Sequence, residues 1–104
     1  MEKRSPTYDL DAFKKSFSKA SRLSVTGTAL RTAALIGCGR AEIVETIQTM
    51  ERGQFVKSMT THADHRAWQD VYHVPRGCKV VYLKFTADVV TEFRLLSFKE
   101  RDNE

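Results

Sequence analysis

The sequence predicts an α+β fold, with N-terminal helices packed on one face of a curved antiparallel sheet. Three observations predict it. Apolar residues as far as Met50 recur at the three- and four-residue spacings of amphipathic helices. From Phe55 onward they alternate with polar residues at the two-residue period of strands. Gly53 stands at the change of period, and helices followed by a strand meander is the order of an α+β protein. The change separates two layers of one domain spanning residues 1–104, because a chain of this length supports one core and not two.

The elements follow in order. After a polar N-terminal arm, Leu10, Phe13 and Phe17 make a short amphipathic helix, with Asp9 or Thr7 as its cap and Lys14, Lys15 and Lys19 toward its negative end. Arg22 to Thr26 reads as a brief extended piece. Thr26 then caps a second helix with a small-residue face of Ala29, Leu30, Ala33 and Ala34, stopped by Gly37. Ile43, Val44, Ile47 and Met50 define a third helix from Arg40 that Gly53 ends. The first strand is Phe55 to Thr61, with Phe55, Lys57, Met59 and Thr61 on one face. The second runs from Ala67 to His73 and opposes Trp68, Asp70 and Tyr72 to Gln69 and Val71. Pro75, Arg76 and Gly77 form a turn. The third strand, Cys78 to Thr86, puts Val80, Tyr82 and Lys84 opposite Val81, Leu83 and Phe85. The fourth, Glu92 to Glu100, puts Phe93, Leu95, Ser97 and Lys99 opposite Arg94, Leu96 and Phe98.

Composition narrows the function classes. With 41% hydrophobic and 29% charged residues the chain has the balance of a soluble globular protein. Its 17 Lys plus Arg exceed 13 Asp plus Glu, a net charge of +4 that leans toward polyanionic partners. Cys38 and Cys78 form neither a CxxC pair nor a disulfide framework, and no apolar run approaches the roughly 20 residues of a membrane span. The N-terminal charges are followed by no apolar segment of a secretory signal. The expected location is cytoplasmic, with no membrane association.

Three constellations bear on chemistry. Lys57, Gln69, Tyr82 and Lys99 come one from each predicted strand. Cleavage of RNA by its own 2'-hydroxyl needs a base for that hydroxyl, positive charge at the phosphate and an acid for the departing 5'-oxygen. Lysines supply charge, or a base if their pKa is depressed; Tyr82 donates a proton or orients the phosphate; Gln69 positions the hydroxyl. Spacing alone does not separate these from ordinary solvent-facing strand residues. His62, Asp64, His65 and His73 read better as surface turn residues than as metal ligands, since their offsets lack the spacing of a structural zinc site. Neither cysteine has an activating context. Trp68 and Tyr72 are sheet-packing aromatics or platforms for unpaired bases.

The motifs Lys57-Ser58-Met59-Thr60-Thr61, Asp64-His65, Trp68-Gln69-Asp70-Val71-Tyr72, Val81-Tyr82-Leu83-Lys84 and Ser97-Phe98-Lys99-Glu100, with the opening Met1-Glu2-Lys3-Arg4, closely resemble the motility quorum-sensing regulator toxins. The resemblance covers nearly the whole chain. It implies a RelE-like fold and an mRNA interferase of a type II toxin–antitoxin pair that prefers GC-containing sites, especially GCU. It implies as partners mRNA and an antitoxin with a zinc-binding N-terminal domain and a helix-turn-helix C-terminal domain, through which alone operator DNA is reached. The zinc belongs to the antitoxin, and neither metal nor cofactor is expected in this chain. The resemblance assigns catalysis to Lys57, Gln69, Tyr82 and Lys99, and RNA contact falls to Val56, Lys84, Trp68 and Tyr72. Val56 and His62 depart from the family pattern, which has tyrosine beside the catalytic lysine and an aromatic at the end of that motif. The turn from Ala87 to Thr91 also looks longer than the pattern. The alternative is an RNA- or antitoxin-binding module of the same fold that cleaves weakly or not at all and acts mainly in autoregulation of its operon.

Overall fold

A computed structural model describes residues 1–63, 65–87 and 92–101 of the chain. Among the described residues, three α-helices pack on one side of a five-stranded antiparallel sheet whose spatial order follows chain order, β1 to β5. The strands are β1 Glu2–Lys3, β2 Phe55–Met59, β3 Gln69–Arg76, β4 Lys79–Ala87 and β5 Phe93–Glu100. The α+β expectation holds.

Helix α1 (Leu10–Ser16) is capped by Asp9, whose carboxylate accepts from the Asp11 amide at 3.0 Å. Helix α2 (Gly27–Leu35) is capped by Thr26, whose hydroxyl accepts from the Ala29 amide at 3.1 Å. Gly37, at φ 76°, leaves this helix in a left-handed conformation that side chains other than hydrogen resist. Helix α3 (Arg40–Gln48) starts with the Glu42 carboxylate accepting from the Gly39 amide at 2.8 Å. It ends at Gln48, five residues before Gly53, because the Thr49 hydroxyl donates to the Thr46 carbonyl and a 3-10 turn, Arg52–Gln54, follows.

The helices and one sheet face enclose a single apolar cluster. Phe13 stacks on Phe85 with ring centroids 3.7 Å apart and planes at 5°, and Ala29, Ala33, Ile43 and Ile47 close over Tyr72, Val74, Val81, Leu83, Leu95 and Phe98. The small residues of α2 let that helix lie close to β5, and Thr32 donates to the Phe98 carbonyl at 2.7 Å. No helix among the described residues is long and apolar enough to cross a membrane.

Several sequence-based expectations are corrected. The N-terminal arm contributes a strand: Glu2 pairs with Met59 and Lys3 with Ser58. The buried Asp70 carboxylate ties the chain behind it, accepting from the Thr7 and Tyr8 amides at 3.0–3.1 Å, while the Thr7 and Ser58 hydroxyls share a hydrogen bond of 2.7 Å. Strand β3 begins at Gln69 and runs through Pro75 and Arg76, so the turn is Gly77-Cys78, with Gly77 at φ 61°. Ser24 to Thr26 runs parallel to the outer edge of β5 and hydrogen-bonds Leu95 from both sides.

The largest correction concerns the faces of two strands. Phe55 pairs with Tyr72 and Lys57 with Val71, which leaves Val56 as an extra bulged residue. Phe55 therefore joins the core side, and Lys57 and Met59 point the other way. In β5, Leu95 pairs with Phe85 and Ser97 with Lys84, so Leu96 is the extra residue. Phe93, Leu95 and Phe98 face the core, whereas Ser97 and Lys99 face away. Strict alternation puts each lysine on the same face as its core neighbour; the bulges part them. The Thr26 hydroxyl donates to the Leu96 carbonyl at 3.1 Å, which fixes the second bulge.

Candidate active site

The open face is ordered by strand register. One row crosses four strands as Lys57, Val71, Lys84 and Ser97, and the next holds His73, Tyr82 and Lys99. Gln69 lies on the other side of the first row, two residues before Val71 on β3 and paired with Met59. Neighbouring strands lie about 4.8 Å apart, so the four predicted catalytic residues, drawn from four strands, share a patch of the order of 15 Å across. The structure brings together Lys57, Gln69, Tyr82 and Lys99, and places Lys84 among them.

Each side chain is held differently. The Lys57 ammonium pairs with the Glu2 carboxylate at 2.7 Å, an interaction that draws the Glu2 carboxyl below its ordinary pKa, first by the hydrogen bond and then by charge. The Lys99 ammonium stands over the Tyr82 ring, 5.3 Å from its centroid. Burial raises the Tyr82 phenol above its ordinary value and the Lys57 charge opposes it, keeping the proton on the oxygen at neutral pH. Burial lowers Lys84, and the Lys99 and Lys57 charges lower it further. The Gln69 side-chain oxygen is buried without a hydrogen-bond partner. Fully buried Val71 lies in the row between Lys57 and Lys84.

The other predicted contacts divide. Tyr72 is 1% exposed on the core face, edge-on to Phe55 and stacked with Phe85, and its phenol is pushed up to about 12, chiefly by burial. The expectation of an RNA contact there is corrected: the ring is part of the core. Trp68 remains half-buried at the rim, with Lys3 over its ring at 4.4 Å. Its carbonyl accepts from the Tyr8 and Thr86 hydroxyls at 2.8 Å each. Val56, the bulged residue, is half-buried beside Lys57.

Two residues of this face were not picked out from the sequence. Glu2 escaped because a two-residue strand shows no periodicity. His73 was grouped with turn histidines, although the alternation of Gln69 and Val71 extends directly to it. Its ring lies 6.0 Å from that of Tyr82, and burial, then the Arg101 charge, lowers its pKa. His62 and His65 are exposed on the connection before β3, whereas His73 lies within that strand; Asp64 and positions 88–91 of the expected Ala87 to Thr91 turn lie outside the described residues. Among the described residues no three His, Cys, Asp or Glu side chains converge as a metal site. Cys38 is buried and Cys78 exposed, both as free thiols.

Comparison with known proteins places this face in context. A sequence profile of the family described as motility quorum-sensing regulator, toxin of MqsA, matches residues 5–100. The mRNA interferase toxin MqsR of Escherichia coli (strain K12) is 38% identical over 101 residues, which span 97% of this chain and all of that protein. Matched along nearly its whole length by profile and relative alike, the chain belongs to the motility quorum-sensing regulator toxin family.

Proposed function

We propose that this protein is the toxin of a type II toxin–antitoxin pair, a single RelE-like domain over residues 1–104 that cleaves mRNA at GC-containing, GCU-like sites and so arrests translation and growth. One observation carries the reading: Lys57, Gln69, Tyr82 and Lys99 converge on the sheet face that the helices leave open. The 2'-hydroxyl of the nucleotide before the scissile bond loses its proton to a base on this face and attacks the phosphorus. Lys57 and Lys99 stabilise the charge that builds on the phosphate oxygens. The Tyr82 phenol, kept protonated by burial, gives its proton to the departing 5'-oxygen. The products are a 2',3'-cyclic phosphate and a 5'-hydroxyl. Gln69, with an oxygen awaiting a donor, positions the ribose or base. Lys84, Trp68 and Val56 contact the RNA around this centre.

Positive charge comes from ammonium groups, so the reaction needs no metal or cofactor. The partner is an antitoxin with a zinc-binding N-terminal domain and a helix-turn-helix C-terminal domain; operator DNA is reached only through it, and the pair acts in the cytoplasm. The test is incubation of purified protein with GCU-containing RNA in EDTA, with product ends read by mass spectrometry. Cleavage to cyclic phosphate ends is expected. Cleavage only after metal is added, or binding with no product, would sink the mechanism, and the latter would favour a binding module whose effect appears in an operator gel shift with the antitoxin.

A further inference from the structure

Lys84 occupies the centre of the open face. It pairs with Val71 on one side and Ser97 on the other, Lys57 lies beyond Val71 in the same row, and Tyr82 and Lys99 form the adjacent row. The two flanking ammonium groups are engaged, Lys57 by Glu2 and Lys99 by the Tyr82 ring. Lys84 is different: half-buried, it makes no hydrogen bond or ion pair among the described residues. Burial withdraws the water that solvates an ammonium ion, and both lysine neighbours repel it. One strand away, diagonal to Lys84, the Gln69 oxygen is buried and partnerless. An unmet donor and an unmet acceptor on adjacent strands of one face mark where a substrate group enters.

We propose that Lys84 is the general base of the reaction, its neutral amine taking the proton of the attacking 2'-hydroxyl. The assignment rests on the ribonuclease reading above and supplies the group that reading left unnamed. The hydroxyl O–H bond breaks and its proton joins the amine lone pair. The 2'-oxygen bonds to phosphorus, the bond from phosphorus to the 5'-oxygen breaks, and that oxygen takes the Tyr82 proton. Solvent then returns a proton from Lys84 to the Tyr82 phenolate. The transfer is well timed electrostatically, because Lys84 gains its positive charge as negative charge grows on the phosphate.

The titratable and polar groups placed around it are Lys57 and Glu2 from β2 and β1, His73 and Gln69 from β3, Tyr82 from its own strand, and Ser97 and Lys99 from β5; after burial, the Lys99 and Lys57 charges lower it. His73, itself lowered by burial, is the competing base.

Single-turnover cleavage of a short RNA across a pH series tests the assignment. Lys84→Met keeps an apolar stem over Val71, and Lys84→Arg keeps the charge without an accessible free base. Both are expected to lose about 10²–10⁴-fold in rate. Lys84→Arg, which keeps the cationic RNA contact, should bind an RNA carrying 2'-deoxyribose at the cleavage position within about threefold of the unsubstituted protein, so that its lost rate is not lost binding. The unsubstituted rate should level off as pH rises below the ordinary lysine range, whereas the Lys84→Met rate should keep climbing with hydroxide and be restored in part by added ethylamine in its free-base form. Near-normal cleavage by Lys84→Arg would make the residue a charge clamp and overturn the proposal. So would loss of the acidic limb in His73→Gln with its retention in Lys84→Met. A protein that cleaves but ignores Lys84 substitutions refutes this assignment alone; one that cleaves no RNA refutes the ribonuclease reading with it.

Discussion

The two faces of the sheet are built from the same four long strands and share almost nothing else. On the helix side Val74, Val81, Leu83, Phe85, Leu95 and Phe98 are fully buried and interlock with the helices. On the other side Lys57, Tyr82, Lys84 and Lys99 stand over a floor of which Val71 is the buried part. A strand that simply alternated would give both faces, and for β3 and β4 it does. In β2 and β5 it would send the lysines into the core, and there one extra residue in each strand, Val56 and Leu96, re-aims them. Burial is thus concentrated on one side and the proposed chemistry on the other, with the bulges as the devices that keep them apart.

That division can be broken from either side. Phe13→Ala removes the ring stacked on Phe85 and is expected to cost about 4 kcal/mol of unfolding free energy, read by urea titration. Activity per folded molecule should persist; a loss below about 1 kcal/mol would remove Phe13 from the centre of the core. Lys57→Ala and Lys99→Ala should do the converse, lowering single-turnover cleavage about 10²–10³-fold while the melting temperature stays within about 3 °C. A matching fall in stability would show that the open face also holds the fold together.

Smaller effects sharpen the boundary. Asp70→Ala strands the Thr7 and Tyr8 amides and should cost about 2 kcal/mol, with faster hydrogen exchange at those amides as the specific mark. Unchanged exchange would mean the N-terminal segment is held by other contacts. Val56→Tyr adds a stacking ring beside Lys57 and should tighten binding of a 2'-deoxy, uncleavable RNA by about 1 kcal/mol, roughly fivefold. The smallest effect is electrostatic. Because Lys57 holds the exposed Glu2 carboxyl below its ordinary pKa of 4.5, their pairing contributes fully above that value and fades as pH falls through the lower folded one. Melting temperature against pH should therefore drop slightly less steeply in acid for Glu2→Gln than for the unsubstituted chain, and identical curves would dismiss the pair.

Much of this was legible in the residues. The caps Asp9 and Thr26, the start of the third helix at Arg40 and the alternation of β4 are local signals, and each landed within a residue or two, whereas the end of that helix came five residues before Gly53. The four proposed catalytic residues were legible only through resemblance, because spacing gave no reason to separate them from ordinary strand positions. Tyr72 was misread because a residue's face says nothing about whether helices cover it. Glu2 was missed because its strand exists only by pairing with β2.

The sequence by itself determined the layers: helical and two-residue periods report which side of a segment is apolar, and hydrophobic burial then decides the rest. Which way Lys57 and Lys99 point was settled only in three dimensions. A bulge changes no residue and leaves no periodic trace; it is chosen by the hydrogen-bond register of neighbouring strands, where Phe55 finds Tyr72, Leu95 finds Phe85, and the surplus residue in each case turns a lysine away from the core.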